Sequence, residues 1–425
     1  MLASRGELDA GGPLTRDPSN IRSTGPVGAP AEAAVRAFFM EEYLESIRLE
    51  RFNMGESGAR SLTTEELLVG VGLSREQIAR EFLAMDLRNS PNWGRDDLRD
   101  SVAALHPGAG RENVLITTGT SEALLLLFRH LRPRRVALAM PAFQALYEIP
   151  ATLGAEIVRL PIRWDDRGAP YIDRDEWRAI LDRARPDCLV LNSPHNPSGL
   201  VLDPGLCEEL LDFARSTGAA VIGDEHYRFH ASEQALLGPT VYRPRGRVFV
   251  TGSFIKCLGC TGLRIGWCVG DHESLASMQN DKNYTTHTVA PIVEWIAHEV
   301  MRRVDSPILG RMRAEWIENR RALGDFLASA PQLEGVPPAG GFVTCVGVRG
   351  ARDPADVEAA ARALAAERVF LLGLDKMEAA GDGDPGARGL RRGLGFRLGL
   401  GLPPADFREA LVRIDRALSP GAAGR

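Results

Sequence analysis

Between about residues 61 and 304, short apolar runs alternate with amphipathic helical patterns, and this alternation constrains the fold more than any other feature of the chain. Runs at 113–117, 135–140, 188–192, 219–223 and 248–251 are short and apolar in their interiors. Parallel strands covered on both faces read in this way, whereas half-exposed strands alternate apolar and polar residues. Helical patterns lie between them, for example at 121–131 and 204–216. Strands and helices in strict alternation predict an α/β domain with right-handed crossovers. A helix is expected at 31–51, where Phe38, Phe39, Tyr43 and Ile47 recur at helical spacing.

From about residue 307 the pattern changes. A charged helix at 311–329 precedes a run at 341–348, a helix at 353–368, strand-like runs at 369–372 and 395–399, and a last helix at 404–418. We read a smaller α+β domain here. The expected organisation is a Gly/Pro-rich flexible leader at 1–30, an N-terminal segment of the small domain at 31–60, a large domain at 61–306 and a C-terminal small domain at 307–425. The Gly- and Asp-rich stretch 379–389 reads as a mobile surface loop.

The chain has 425 residues, 44% of them hydrophobic, enough for more than one core. Its 51 basic and 56 acidic side chains give a net charge of −5, which excludes a basic nucleic-acid footprint. No apolar run is long enough to cross a bilayer, and no signal peptide is visible, so a cytoplasmic protein is expected. The six cysteines form no disulfide framework. Cys257 and Cys260 make a lone C-x-x-C without paired histidines, so no metal site is expected.

Four segments carry chemistry. Thr118-Gly119-Thr120-Ser121 follows a strand and opens a helix, where free N–H groups and the helix dipole favour a phosphate. An ordinary helix cap would look similar. Asn192-Ser193-Pro194-His195-Asn196-Pro197-Ser198-Gly199 is a rigid turn at a strand end and holds Asn196 as a directed donor. In Gly223-Asp224-Glu225-His226-Tyr227 an apolar strand ends in Asp224, a carboxylate that needs a partner such as a protonated ring nitrogen. His226 reads as structural or pocket-lining. Between Gly252 and Trp267, Lys256 stands in a Gly-rich apolar run, where desolvation makes an amine nucleophilic, and Arg264 supplies a fixed cation for a phosphate.

In order, spacing and residue type these segments resemble the class I/II aminotransferase superfamily of fold type I pyridoxal-phosphate enzymes, from about residue 35 to 420. The resemblance implies a large domain with a mixed, mostly parallel sheet plus a smaller α+β domain. It implies pyridoxal 5'-phosphate on Lys256 as a Schiff base, with Lys256 also moving the Cα proton. Asp224 would pair with the pyridine nitrogen, and Asn196 and Tyr227 with the phenolic oxygen. Ser253, Arg264 and the turn Gly119, Thr120, Ser121 would hold the phosphate, and Phe143 would stack on the ring. Arg397 would grip the substrate α-carboxylate, with Gly55 to Gly58 closing over it and Glu56 facing a cationic group or solvent. Two departures stand out: Ile255 precedes the lysine, and the stretch Asn89 to Gly94 has no tyrosine.

The layout Phe38–Ile47, Phe52 to Gly58 and Ser61 to Leu67, with Gly262 to Cys268, looks most like the capreomycidine synthase branch. That resemblance implies Cβ/Cγ elimination, replacement or cyclisation on a free amino acid in antibiotic biosynthesis. γ-Elimination of S-adenosylmethionine is conceivable. An amino-acid aminotransferase is the alternative, and a non-catalytic ligand-sensing module of the same fold is a third reading. A homodimer with active sites at the interface is expected, with residues 281–288 falling where a neighbour would contribute.

Overall fold

The computed structural model describes residues 36–235, 237–377 and 389–419. Its centre is a seven-stranded sheet in the order Val114–Thr117, Gly266–Val269, Val248–Gly252, Ala220–Asp224, Cys188–Asn192, Arg135–Met140, Glu156–Pro161. Gly266–Val269 runs antiparallel to both neighbours, and the other pairings are parallel. Alternate residues point to opposite faces. Ile116, Leu189, Leu191, Val221 and Val250 enter the core on one face, and Leu115, Val190, Ile222, Phe249 and Cys268 the core on the other. Both faces are therefore dry, which is why these strands carry uninterrupted apolar runs. The helix Gly119–Leu131 covers the second face with Leu124, Leu127 and Phe128.

A second, antiparallel sheet of four strands has the order Leu333–Gly335, Val343–Val348, Gly395–Gly399, Leu372–Gly373. The helices Pro307–Ser329, Pro354–Ala366 and Pro404–Leu418 accompany it. The fold is thus the expected α/β architecture: a mixed, mostly parallel sheet beside a smaller α+β unit.

Several boundaries differ from expectation. Among the described residues the first helix spans Phe39–Ser46, shorter than 31–51. Asn53 Nδ2 donates to the Ile47 carbonyl, and Phe52–Asn53 pairs in parallel with Val369–Phe370, so tertiary pairing ends the helix early. The run 369–372 is split for the same reason, because Leu372–Gly373 joins the four-stranded sheet instead. Asp353 is a helix cap, its carboxylate accepting from the Ala355 and Asp356 N–H groups. The leader 1–30 lies outside the described residues, as does the loop 379–389 except for Gly389. No helix among the described residues is long and apolar enough to cross a membrane.

The functional consequence is geometric. Thr117, Met140, Asn192, Asp224 and Gly252 end strands that run in one direction, so the loops after them converge on a single edge of the sheet. Open α/β sheets bind their ligands at that edge.

Candidate active site

Building from the sheet edge, the first element is an anion cradle. Gly119 opens its helix with φ +77°, and a Cβ there would lie 2.9 Å from Arg264 Nη2. Glycine therefore permits both the left-handed turn and the close approach of the guanidinium. A helix N-terminus and a fixed arginine together favour a phosphate. The Thr120 hydroxyl lies 2.7 Å from His226 Nε2, and Ser121 is exposed at the helix start. The Ser253 hydroxyl donates to the Ile265 carbonyl at 2.7 Å and accepts from the Ile255 N–H at 3.2 Å.

Asp224 lies deeper. It is the last residue of its strand, one position beyond the expected run, and is only 2% exposed. Asn192 Nδ2 donates to its Oδ2 at 3.1 Å, Thr251 Oγ1 to its Oδ1 at 3.1 Å, and His226 Nε2 is 3.3 Å from Oδ1. Burial raises its pKa, and His226 and Thr251 offset that only in part. No lysine or arginine among the described residues contacts this carboxylate, so a cationic ring nitrogen would complete it. Glu225, next in the chain, turns to the other side, where burial pushes it up to about 7 beside Arg228. His226 also carries a buried Nδ1 with no partner among the described residues.

Lys256 and Tyr227 meet at a residue the sequence did not single out. Lys256 Nζ donates to Ser57 Oγ at 3.2 Å, and Tyr227 Oη donates to the Ser57 carbonyl at 2.7 Å. Desolvation lowers the pKa of the Lys256 amine, while Glu56 and Glu41 pull it back up. An amine with a lowered pKa is the nucleophile that a Schiff base needs.

Arg397 closes the opposite end. Its side chain is fully buried. Nη1 donates to Asn196 Oδ1 at 3.1 Å and lies 3.4 Å from Met40 Sδ, Nη2 donates to the Gly55 carbonyl, and Nε has no partner among the described residues. A buried guanidinium held only by neutral groups is poised for a carboxylate. The Gly55 N–H is taken by Asn53 Oδ1 at 3.0 Å. Phe143, in the loop after the strand Arg135–Met140, is half-buried against Phe38, with ring centroids 5.7 Å apart. We expect Arg397→Lys to raise KM about ten- to a hundredfold, with a smaller change in kcat, because the charge survives while the paired donors are lost. Initial rates against substrate concentration test this.

The sequence matches the aminotransferase class I and II family over residues 74–414. The chain belongs to that family. Capreomycidine synthase of Streptomyces vinaceus is 30% identical over 95% of this chain and 98% of its own. The 3-methylarginine biosynthesis aminotransferase ArgM of Streptomyces arginensis is 28% identical over 68% of this chain and 76% of its own. Among solved structures, the PLP-dependent cyclase OrfR superposes with a TM-score of 0.77 at 25% identity, covering 93% of this chain and 99% of OrfR. An aminotransferase from Streptococcus suis superposes at 0.79 with 24% identity, over 91% of this chain and 98% of its own, a likeness of fold.

As a member of this family the chain is a pyridoxal 5'-phosphate enzyme, and its residues fit the cofactor. Lys256 would hold the aldehyde carbon, Asp224 the ring nitrogen, and Arg264 with the Gly119 turn the phosphate. The bound cofactor supplies an electron sink for bonds broken at an amino acid's Cα.

Proposed function

We propose that the chain catalyses Cβ or Cγ elimination, replacement or cyclisation on a free amino acid with a cationic side chain, in natural-product biosynthesis. The observation that carries the substrate class is a pair of acids. Glu41, on the helix Phe39–Ser46, and Glu56, beside Gly55, are both exposed, and both carboxylates raise the pKa of Lys256 and of Arg397. They form a negative rim on a site whose interior is cationic. An α-carboxylate goes to Arg397, and a guanidinium or sulfonium side chain meets the rim.

The chain's own groups divide the remaining tasks. Lys256 takes the Cα proton and can return it elsewhere on the substrate. Asn196 and Arg397 fix the carboxylate, and so the orientation of the bonds at Cα. The names of two relatives support the reading, capreomycidine synthase and the cyclase OrfR. A transamination reading is favoured by one observation, the similarity to ArgM, whose name also contains an arginine derivative.

We take the working unit to be a cytoplasmic homodimer. Tyr284 is 87% exposed, while its neighbours Thr285 and Thr286 donate to Glu122 at 2.8 and 2.7 Å, so a second copy would meet the Tyr284 ring on a fixed backbone.

The rim is tested by Glu41→Gln and Glu56→Gln together. The double variant should raise KM for an arginine derivative about tenfold and leave KM for an uncharged amino acid of similar length unchanged. Equal effects on both substrates would remove the cationic side chain from the proposal.

A further inference from the structure

The segment Met54 to Ala59 is tied to both ends of the site. Met54 accepts through its carbonyl from the Gly399 N–H at 2.7 Å, next to Arg397 in the small sheet. The Ala59 N–H donates to the Lys256 carbonyl at 2.8 Å. Gly58 makes this approach possible, since a Cβ there would lie 3.1 Å from the Lys256 carbonyl and 3.3 Å from its Cδ. Between these anchors stands Ser57, 5% exposed. Its hydroxyl accepts from Lys256 Nζ and its carbonyl from Tyr227 Oη.

We propose that Ser57 is a positioning residue, whose hydroxyl receives the Lys256 amine and whose carbonyl holds the Tyr227 phenol, so that both proton-carrying groups are presented to the substrate from one point. This rests on the assignment of Lys256 as the cofactor lysine. As the residue that would hold the cofactor, Lys256 would have its amine free to move a proton only while a substrate is bound. Its amine then has to be held within reach of Cα and the neighbouring carbons while it moves a proton. An amine on a four-carbon stem has many rotamers, and one buried acceptor selects among them. The groups that set the amine's charge come from every side: Glu56 on the Ser57 segment, Glu41 on the first helix, Arg397 on the small sheet and Arg264 after the lysine turn. The Ser57 hydroxyl is the neutral acceptor among them, so its removal changes the amine without changing the net charge around it.

The test uses the full-length chain freed of cofactor, and reads the labelling of Lys256 by trinitrobenzenesulfonate against pH through the mass of its peptide. Ser57→Ala removes an acceptor that favours the ammonium form. The labelling midpoint should therefore move to lower pH by about one unit. In the holoenzyme kcat should fall about tenfold or more, with KM within about twofold. Ser57→Thr keeps a hydroxyl and should restore both values. An unmoved midpoint overturns the proposal, as does a fall in kcat without a shift, which would mark a purely structural role. A threonine variant that matches the alanine variant in both readouts also counts against it. The label is read on Lys256 itself. A native chain that failed to bind pyridoxal phosphate would therefore sink the cofactor assignment while leaving the Ser57 result legible.

Discussion

Lys256→Ala should leave a folded protein that borohydride can no longer join to pyridoxal phosphate, and whose turnover is lower by about 10⁴-fold or more. Two functions vanish together, the covalent anchor and the base at Cα, which is why this is the largest effect expected anywhere in the chain. The structure gives the reason that no other lysine substitutes. Lys256 stands in the turn after Val248–Gly252, at the edge where the other loops converge, and its amine is desolvated beside Ser57. Lys282 is also buried, but its amine is spent on the Asn92 and His287 carbonyls at 3.1 and 3.0 Å. The check is borohydride reduction followed by peptide mass analysis of native and variant protein. Cofactor still fixed to the variant would show that the anchor lies elsewhere.

Asp224→Asn should cut kcat by roughly 10²- to 10⁴-fold, with little change in fold. The estimate follows from the loss of one partner of a buried ion pair, about 3–5 kcal/mol, at about 1.36 kcal/mol per tenfold. Asparagine keeps the shape and can still bond Asn192 and Thr251, so the strand end stays intact. What it loses is the charge that keeps a ring nitrogen protonated. The effect should therefore appear in kcat with unchanged circular dichroism and thermal midpoint. Near-normal turnover would show that the ring nitrogen does not depend on Asp224.

Five of the seven strands of the large sheet were legible to within a residue because of their burial, whereas Glu156–Pro161 and Gly266–Val269 were not named as strands. Cys188–Asn192 and Arg135–Met140 occupy the positions expected, since strands covered on both faces cannot hide their apolar runs. The first helix was not, because its end is decided by Phe52 pairing with Val369, more than 300 residues away, and no local pattern carries that contact. The site divides in the same way. The sequence marks Lys256 and Asp224 because a charged residue inside an apolar run is unusual, and Arg397 through the family resemblance alone. The structure adds Asn192 and Thr251 at the Asp224 carboxylate, and Thr120 bonded to His226, a contact across 106 residues. The roles of Ser57 and Glu41 were not legible, and for the same reason. A serine in a Gly-rich turn and a glutamate on the polar face of an amphipathic helix are what such places ordinarily hold. Their significance comes from what the fold sets beside them.

The reaction itself is best tested by a stoichiometric experiment. The holoenzyme would be mixed with arginine derivatives and with S-adenosylmethionine in the absence of any keto acid, and the products counted per site by mass. Elimination, replacement or cyclisation regenerates the starting enzyme, so the account predicts many product molecules per site. One keto acid per site and no further turnover would contradict it and establish an aminotransferase.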